Sequence, residues 1–341
     1  SPHVTRAPTP LSRLSDRGVP DMRAELERLV PEGAGWQACE VDNLGHNPGR
    51  WPATLVQPAA LVRAWLDEAA NLTALHTRWR ASVHQLQQVD GQWQALDADG
   101  RLQGQAPLAV VAAAHGSHAL LVRSLDLDGD NLPLRPVQGQ LSYAALQDMP
   151  LMPRPQRNNG VFVPLYEDRS LTPARVWAMG STYERGKTHC HTTDAAHERN
   201  LQSLQALCPP AAQHMRELMA AGELRGWAQV RCASLDRLPL MGALPRLDAL
   251  AELADRIGRQ RSRLPLAAVP RWSGLYALTA LGSRGLTLSH WCAVQLARQI
   301  DGEAPDLPPG DLDLISALDP ARFAWKQLRR AQSASAELTA G

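Results

Sequence analysis

The sequence has little lysine and almost no net charge. The near-zero charge excludes a protein that attracts its partners through a strong overall charge. Only Lys187 and Lys326 are lysines among the 35 basic residues, and 34 acidic residues leave a formal net charge of +1. Such a balance gives no overall attraction to nucleic acids or to anionic membranes, so any RNA would have to be held by a local patch. We interpret the excess of arginine as a bias of genomic composition; phosphate recognition is the alternative.

Cysteine pairs and long apolar runs are also missing. The five cysteines are scattered and none stands in a C-x-x-C pair, so we expect free thiols in a reducing cytoplasm. No apolar run approaches the ~20 residues of a membrane helix, and the opening residues lack the apolar stretch of a signal peptide. We therefore expect a cytoplasmic protein that does not span a membrane. The first residue is not Met, which predicts a fragment or a processed product.

A third absence is the dinucleotide-binding fingerprint G-x-G-x-x-G. The glycines that come nearest to it, Gly282 and Gly285, lie between a strand pattern at 274–281 and a helix pattern at 286–300. Glycines in such a turn allow a ligand to approach the backbone, and the amides at the helix start favour an anion or an electron-rich carbonyl oxygen. Thr287 adds a hydroxyl there. A plain tight turn is the alternative interpretation.

What is present is a mixture of helix and strand patterns. Helices are predicted over 21–30, from Pro58 onward, and from an N-cap at Thr193 or Asp194 to Pro209. The helix from Pro58 is predicted to bury one apolar stripe, formed by Leu61, Val62, Trp65 and Leu66. Strands are predicted over 134–141, 160–165, 174–181, 227–233 and 274–281. This interleaving predicts an α/β protein with a β-rich second domain.

The segment between residues 83 and 114 changes from a period of two to a continuous apolar run. Alternating apolar residues, with the pairs Asp90-Gly91 and Asp99-Gly100, predict two strands closed by tight turns. The apolar run at 108–114 predicts a strand that is buried on both faces.

A metal site is considered at His189-Cys190-His191, with His197 beyond it. Alternating side chains of an extended segment diverge to opposite faces, and no second Cys/His pair stands at zinc spacing. We therefore predict a solvated loop before a helix, and no metal.

Several segments resemble, in the same order, one known family of flavoenzymes. They cover nearly the whole chain and are 11–18 (LSRLSDRG), 57–66 (QPAALVRAWL), 135–140 (RPVQGQ), 159–165 (NGVFVPL), 180–186 (GSTYERG), 230–245 (VRCASLDRLPLMGALP), 281–289 (LGSRGLTLS) and 318–323 (LDPARF). The turn at 281–293 is similar to the carboxy-terminal flavin-contacting segment of the D-amino-acid oxidase and glycine oxidase superfamily. More closely, the whole set resembles the oxidoreductase half of the bacterial bifunctional proteins that make 5-methylaminomethyl-2-thiouridine in tRNA.

The resemblance implies an activity. In that family this half carries FAD and removes the carboxymethyl group from 5-carboxymethylaminomethyl-(2-thio)uridine at the tRNA wobble position. The product, 5-aminomethyl-(2-thio)uridine, is then methylated by the other half. The resemblance therefore implies FAD as cofactor, tRNA as substrate and a methyltransferase domain as partner in the full-length protein.

The resemblance also implies a fold, and it begins just after the family's first βαβ unit. The fold class expected is α/β (α+β), with a truncated Rossmann-like FAD-binding domain of the D-amino-acid oxidase type and an antiparallel β-rich substrate domain. The FAD-binding domain is expected at 1–35, 56–125 and 271–332. The substrate domain is expected at 36–55 and 126–270, followed by a tail at 333–341.

Two arginines, Arg231 and Arg284, match positions where glycine-oxidase-like relatives place active-site arginines. An arginine fork matches a substrate carboxylate with two parallel hydrogen bonds; a structural ion pair is the alternative for Arg231 and a structural turn for Arg284. Tyr183 and Tyr276 are predicted to line the substrate pocket, with structural tyrosines as the alternative. Cofactor contacts are implied for Gly282, Ser283, Arg284, Gly285, Leu286, Thr287, Val83, Ala114 and His115.

Two alternative functions, one departure from the family pattern and one surface hypothesis stay open at this point. The chain could oxidise free glycine or D-amino acids on the same scaffold, or be an inactive fragment that cannot hold FAD. Gln138 stands where the family's R-G-Q motif predicts a basic residue. A basic patch for tRNA is hypothesised, with a solvated surface as the alternative, at Arg256, Arg259, Arg261, Arg263, Arg329 and Arg330.

Overall fold

The structure is a computed structural model that describes residues 5, 7–127, 132–146, 149–250, 252 and 265–328. The chain divides into two compact units. Unit 1 consists of Ser1–His76, Pro136–Arg231 and Arg284–His290, and unit 2 of Thr77–Arg135, Cys232–Ser283 and Trp291–Gly341. The predicted assignment of residues to a FAD-binding and a substrate domain stays a prediction.

The secondary structure of the described residues mixes helices and strands along the chain. The helices are α1 (Pro10–Leu29), α2 (Pro58–Leu72), α3 (Gly116–Ser124), α4 (Asp194–Leu207), α5 (Pro209–Ala221), α6 (Gly285–Ile300) and α7 (Leu312–Leu318). The strands are β1 (Trp36–Asn43), β2 (Gly49–Val56), β3 (Gln85–Val89), β4 (Gln92–Leu96), β5 (Leu102–Ala106), β6 (Ala109–Val111), β7 (Leu134–Ala145), β8 (Gln156–Arg157), β9 (Val161–Glu167), β10 (Arg175–Gly180), β11 (Glu184–Arg185), β12 (Arg225–Ser234), β13 (Leu240–Pro245) and β14 (Arg271–Thr279).

Unit 1 is built on a large, mostly antiparallel sheet. Its strand order is β11-β7-β10-β9-β8-β1-β2, with β12 paired to β7. The short pair of β1 and β8 is parallel, whereas β1–β2 and β9–β10 are antiparallel. Helices α4 and α5 cover one region of this sheet, with Leu204 and Met215 buried against Phe162 and Trp177.

Unit 2 contains two three-stranded sheets. One has the order β13-β14-β6, in which β14 and β6 are parallel, and the other is the meander β3-β4-β5. A single apolar cluster joins them and includes Leu86, Trp93, Leu121 and Leu275. Unit 2 therefore holds the parallel strand pair on which the predicted ligand turns depend.

Most predicted elements are present because their signals are local. Thr193 caps α4 by accepting a hydrogen bond from the amide of Ala196, and Pro58 and Pro209 occupy the first positions of their helices. Gly302 follows the end of α6 with a φ of 73°, which fits a glycine beyond a helix end.

Three expectations about helix length and burial are wrong. Helix α1 begins at Pro10 and not at residue 21, because Thr9 and Ser12 form a reciprocal cap. Pro20 lies inside this helix. In α2, Leu61 is buried but Val62 is 47% exposed. The apolar run at 108–114 contributes only the short strand β6, and its Val110 is 42% exposed, so this strand is not buried on both faces.

Candidate functional site

Two strand–turn–helix segments of the chain begin on neighbouring parallel strands. Strand β6 leads through residues 112–115 into α3, and β14 leads through residues 280–284 into α6. The register pairs Leu275 with Ala109 and Ala277 with Val111, so both strands end at the same edge of the sheet. In sheets of this kind, ligands bind outside the carboxyl ends of the strands.

The turn after β14 contains six of the predicted site residues. Gly282 has a φ of 59°, a left-handed conformation that favours glycine, and its amide donates to the carbonyl of Cys232 at 2.8 Å. A Cβ atom built at Gly282 or Gly285 would meet nothing within 4 Å, so the backbone there is open to a ligand. The first amides of α6 have no acceptor within the helix. The turn, which runs from Gly282 through Ser283, Arg284, Gly285 and Leu286 to Thr287, therefore suits an anion or an electron-rich carbonyl oxygen.

The turn after β6 is joined to β14 by a hydroxyl that the sequence did not reveal. The side chain of Thr279 donates to the carbonyl of Ala114 at 3.0 Å, and the amide of Ser117 donates to the same carbonyl at 3.2 Å. The His115 ring stacks on His118 with centroids 6.2 Å apart, and burial together with His118 lowers the pKa of His115. His115 is therefore uncharged at neutral pH. The signal that could have found Thr279 is a hydroxyl residue at the end of an otherwise apolar strand.

Val83 precedes a residue that contacts the last turn of α3. The carbonyl of the next residue, His84, accepts a hydrogen bond from the side chain of Arg123, in the last turn of α3. His115 lies at the other end of this helix, which has nine residues and is therefore about 13 Å long. Tyr276 lies on β14 opposite Ala243 and Val110. The roles predicted for Val83 and Tyr276 stay predictions.

Arg231 lies on β12 in unit 1 and is surrounded by neutral groups. Its guanidinium packs on the backbone of Gly139, where a Cβ atom would lie 2.0 Å from Nη1. Nη2 donates to the hydroxyl of Ser181, and Nη1 donates to the carbonyl of Thr182 at 3.5 Å. Among the described residues, no carboxylate lies within 4.0 Å of this guanidinium. A half-buried guanidinium without a counter-ion keeps hydrogen-bond donors that can pair with an anion.

Burial lowers the pKa of Arg231, and the neighbouring Tyr183 partly opposes this effect. Tyr183 is 51% exposed and lies under the guanidinium of Arg185, so it is not a buried structural tyrosine. The structure thus brings Tyr183 close to Arg231, and the substrate-binding roles predicted for both residues stay predictions. Gln138 is buried, and its amide donates to the carbonyl of His191 at 3.3 Å.

The motifs at 230–245 and 318–323 also contain a purely structural ion pair in unit 2. Arg322 is buried, with 2% of its side chain exposed, and donates to both carboxylate oxygens of Asp236 at 2.8 and 2.9 Å. It also donates to the carbonyl of Leu238 at 3.0 Å. Burial alone would raise the pKa of Asp236, but the hydrogen bonds and charge of Arg322 outweigh it and lower that pKa. Part of the sequence resemblance therefore reflects folding and not chemistry.

The histidine-rich loop does not form a metal centre in the part of the chain that is described. The rings of His189 and His191 stack with centroids 3.8 Å apart, and Cys190 donates to Gln229 instead. No group of three His, Cys, Asp or Glu residues suited to a metal occurs among the described residues. None of the five cysteines forms a disulfide.

Two further expectations concern surfaces. The arginines of the hypothetical tRNA patch, Arg256, Arg259, Arg261, Arg263, Arg329 and Arg330, lie outside the described residues, as does the tail at 333–341. Within the described ranges, none of the helices has the length and apolar character that crossing a bilayer requires.

The two turns fit the electron-rich part of a flavin. The turn at 282–287 offers open glycine backbone, and both turns follow the carboxyl ends of neighbouring parallel strands, which is a suitable place for a ring carbonyl or a phosphate. The 341 residues contain no G-x-G-x-x-G loop, so the fit concerns the turns at 112–117 and 282–287 alone.

Comparison with protein families and relatives gives concordant results. The model of the family described as FAD dependent oxidoreductase matches residues 11–299. The tRNA 5-methylaminomethyl-2-thiouridine biosynthesis bifunctional protein MnmC of Ralstonia nicotianae is 36% identical over 310 residues, which are 90% of this chain and 42% of that protein. The protein of the same name from Paracidovorax citrulli is 32% identical, over 95% of this chain and 53% of its own. The chain spans about half the length of the curated relatives it matches.

Solved structures share the fold at low sequence identity. Glycine oxidase from Geobacillus kaustophilus has a TM-score of 0.64 at 14% identity and covers 93% of this chain and 85% of its own. Iminodiacetate oxidase (IdaA) from Chelativorans sp. BNC1 has a TM-score of 0.63 at 18% identity, over 89% of this chain and 84% of its own. The predicted mixed α/β fold of the D-amino-acid oxidase type is thereby confirmed.

Proposed function

Because the chain belongs to the FAD-dependent oxidoreductase family, we propose that it removes the carboxymethyl group from 5-carboxymethylaminomethyl-(2-thio)uridine at the tRNA wobble position. The product is 5-aminomethyl-(2-thio)uridine. The observation that carries this proposal is Arg231, a half-buried guanidinium that touches only neutral groups among the described residues. The substrate group is an N-substituted glycine, whose carboxylate is the anion that such an arginine binds.

The reaction is an oxidation of a secondary amine followed by hydrolysis. Bound FAD would supply the oxidising power for removal of a hydride from the carbon that lies between nitrogen and carboxylate. The nitrogen loses its proton, and a C=N bond forms. Water adds to this bond and the C–N bond breaks, which releases glyoxylate and leaves a primary amine on the uridine. Atoms and electrons balance with FAD as the only oxidant.

The chain's own residues orient the substrate in this scheme. Arg231 holds the carboxylate with its two terminal nitrogens, so that one C–H bond keeps a fixed direction. We assign Arg284 a second contact to the same carboxylate, and Tyr183 and Tyr276 to the wall of the substrate pocket. No residue need serve as a general base if the amine reacts in its neutral form.

The cofactor is held by the two turns in this proposal. The backbone of Gly282, Ser283, Gly285 and Leu286 would contact the flavin ring, and Thr287 would add a hydroxyl. Ala114 and His115 would contact the nucleotide part. Because burial lowers the pKa of His115, this side chain would bring no positive charge to the nucleotide at neutral pH. Val83 is assigned to the adenosine end.

The partners follow from the chemistry of the product. The relatives are named for the biosynthesis of 5-methylaminomethyl-2-thiouridine, whereas the proposed reaction leaves a primary amine that carries no methyl group. A methyl transfer must therefore come next, and the relatives are called bifunctional. We assign tRNA as the substrate and a methyltransferase domain as the partner in the full-length protein.

Two measurements test the proposal. The first is the visible spectrum of the purified chain with added FAD: bound flavin is expected, and a protein that stays colourless would reject the enzyme for this chain. The second is glyoxylate release from hypomodified tRNA, with free glycine as the comparison substrate. Release from tRNA alone supports the proposal. Turnover of free glycine with no reaction on tRNA would favour an amino-acid oxidase.

A further inference from the structure

The first two turns of α6 lie against one face of α1 within unit 1. A Cβ atom at Gly18 would lie 2.2 Å from the carbonyl oxygen of Thr287 and 2.9 Å from Cδ2 of Leu288. The atom in the way at Thr287 belongs to the backbone, so any side chain at position 18 would displace the start of α6. Consistently, residues 284–290 are grouped with α1 in unit 1, whereas the rest of α6 is grouped with unit 2.

A hydrogen-bonded pair continues the same contact. Nδ1 of His290 lies 2.8 Å from Oδ2 of Asp21, and its Nε2 lies 3.5 Å from Oε1 of Glu25. Gly18, Asp21 and Glu25 recur every three to four residues, which places them on one face of α1. Helix α1 therefore contacts the start of α6 at two heights, first by close packing and then by hydrogen bonding.

Glu25 is itself held in place by groups other than His290. Its carboxylate accepts hydrogen bonds from the indole of Trp65 at 2.8 Å and from Arg28 at 2.9 and 3.0 Å. Burial alone would raise the pKa of Glu25, but Arg28 and Trp65 outweigh it and lower that pKa. Glu25 is therefore ionised at neutral pH and forms a fixed acceptor beside the His290 ring.

We propose that α1 sets the position of the flavin-facing turn, with Gly18, Asp21 and His290 as positioning residues. The inference rests on the proposed function in one respect, namely that the turn at 282–287 faces the flavin. Hydrogen bonds from the helix-start amides weaken steeply with distance and angle. A small shift of Thr287 therefore alters the donors offered to the ligand, although neither Gly18 nor Asp21 touches it.

The packing part is tested by hydrogen exchange in the chain without added FAD. Gly18→Ala is expected to speed the exchange of a peptide that covers 284–290 by about tenfold, because the start of α6 opens more often. Gly104→Ala is the matched control, since a Cβ atom there meets nothing within 4 Å. Equal exchange in the two variants would overturn the packing role.

The hydrogen-bonding part is tested by two replacements of His290, whose side chain is 24% exposed and can be changed without filling the core. His290→Phe removes the donor to Asp21, whereas His290→Asn keeps a nitrogen close to the place of Nδ1. His290→Phe is expected to speed exchange at 284–290, and His290→Asn to restore it. If the two variants behave alike, the proposal is wrong.

The positioning role also predicts effects on the flavin that a purely structural contact would not produce. Gly18→Ala and His290→Phe are expected to weaken FAD binding about tenfold and to shift the visible absorption of bound flavin, and His290→Asn to return both towards wild type. An unchanged spectrum and affinity in both variants would overturn the role. Absence of FAD uptake by the wild-type chain would count against the proposed function instead, while the exchange comparison still decides the packing.

Discussion

A buried arginine and a half-buried arginine of this chain lie in opposite surroundings. Arg322, in unit 2, faces both oxygens of Asp236 and a backbone carbonyl, and almost none of its side chain is exposed. Arg231, in unit 1, faces a hydroxyl, a carbonyl and the bare backbone of Gly139. Both belong to sequence segments that resemble the same flavoenzyme family, so the resemblance alone cannot separate them.

The difference shows which arginine is available for chemistry. A buried cation that is already neutralised stabilises the fold, and removing either partner leaves an uncompensated charge. A cation that has only neutral partners keeps its capacity to attract an anion. Under the proposed function Arg231 binds the substrate carboxylate, whereas Arg322 joins the segments at 236–238 and 318–322.

The largest expected effect comes from Arg322→Met. It should lower the free energy of unfolding by about 3–5 kcal/mol, because Asp236 would be left partly buried and unpaired. Urea denaturation followed by circular dichroism measures this loss. The double variant Arg322→Met/Asp236→Leu should recover much of it. A loss below about 1 kcal/mol would mean that the pair is no more than a surface ion pair.

Arg231→Met should show the reverse pattern. We expect kcat/KM on hypomodified tRNA to fall about 100-fold, since charged hydrogen bonds to the carboxylate are lost. The free energy of unfolding should stay the same or rise, because no carboxylate is left behind. Arg216→Met is the control, since Arg216 is exposed and, within the described ranges, its side chain donates to Gln213 and Gln205. Equal activity in Arg231→Met and Arg216→Met would show that Arg231 has no special role in the reaction.

Gly139→Ala tests the packing of the Arg231 guanidinium on the backbone of Gly139 without removing the positive charge. The added methyl group would lie 2.0 Å from Nη1 and 2.5 Å from Cζ of Arg231, so the guanidinium must move. Activity should fall about tenfold, with a small change in stability, because the displaced atoms are the far end of a flexible side chain. Gly104→Ala should leave both unchanged. Full activity of Gly139→Ala would show that the packing of Arg231 on Gly139 is not needed for activity.

The smallest effect concerns acid. The pKa of Asp236 is lowered in the folded state, so its contribution to stability is present above the unfolded pKa of about 3.9 and is lost as pH falls through the lower folded value. The stability difference between wild type and Asp236→Asn should therefore shrink below about pH 4. Urea denaturation midpoints of both variants, measured from about pH 7 to about pH 3, check this difference, because that range spans roughly the titration of a carboxyl group. A constant difference would contradict it.

Features with local signals were predictable. The cap of α4 and the end glycine of α6 follow from residues within one turn, and the family, the fold class and the cofactor follow from ordered motifs. The start of α1 was missed because the predicted helical spacing began at residue 21, well after the Thr9–Ser12 cap. The exposure of Val62 and Val110 was missed because neighbouring elements decide it, and spacing alone does not describe them.

In the candidate site, too, features with a local sequence signal were predicted and contacts between distant residues were not. The turn at 282–287 is continuous in sequence, and it was predicted as a unit. The bond between Thr279 and Ala114 joins residues 165 positions apart, and no local pattern indicates it. Gly139 could have been noticed, because an isolated glycine inside a strand often marks close approach of another group. Here that group is the side chain of Arg231.

The most direct test of the central claim is the fate of the wobble nucleoside itself. Hypomodified tRNA is incubated with the chain and FAD, digested, and analysed by nucleoside mass spectrometry. We expect 5-carboxymethylaminomethyl-(2-thio)uridine to be replaced by 5-aminomethyl-(2-thio)uridine in wild type and in Arg216→Met, and to persist in Arg231→Met. Persistence in the flavin-loaded wild type, or full conversion by Arg231→Met, would contradict the account.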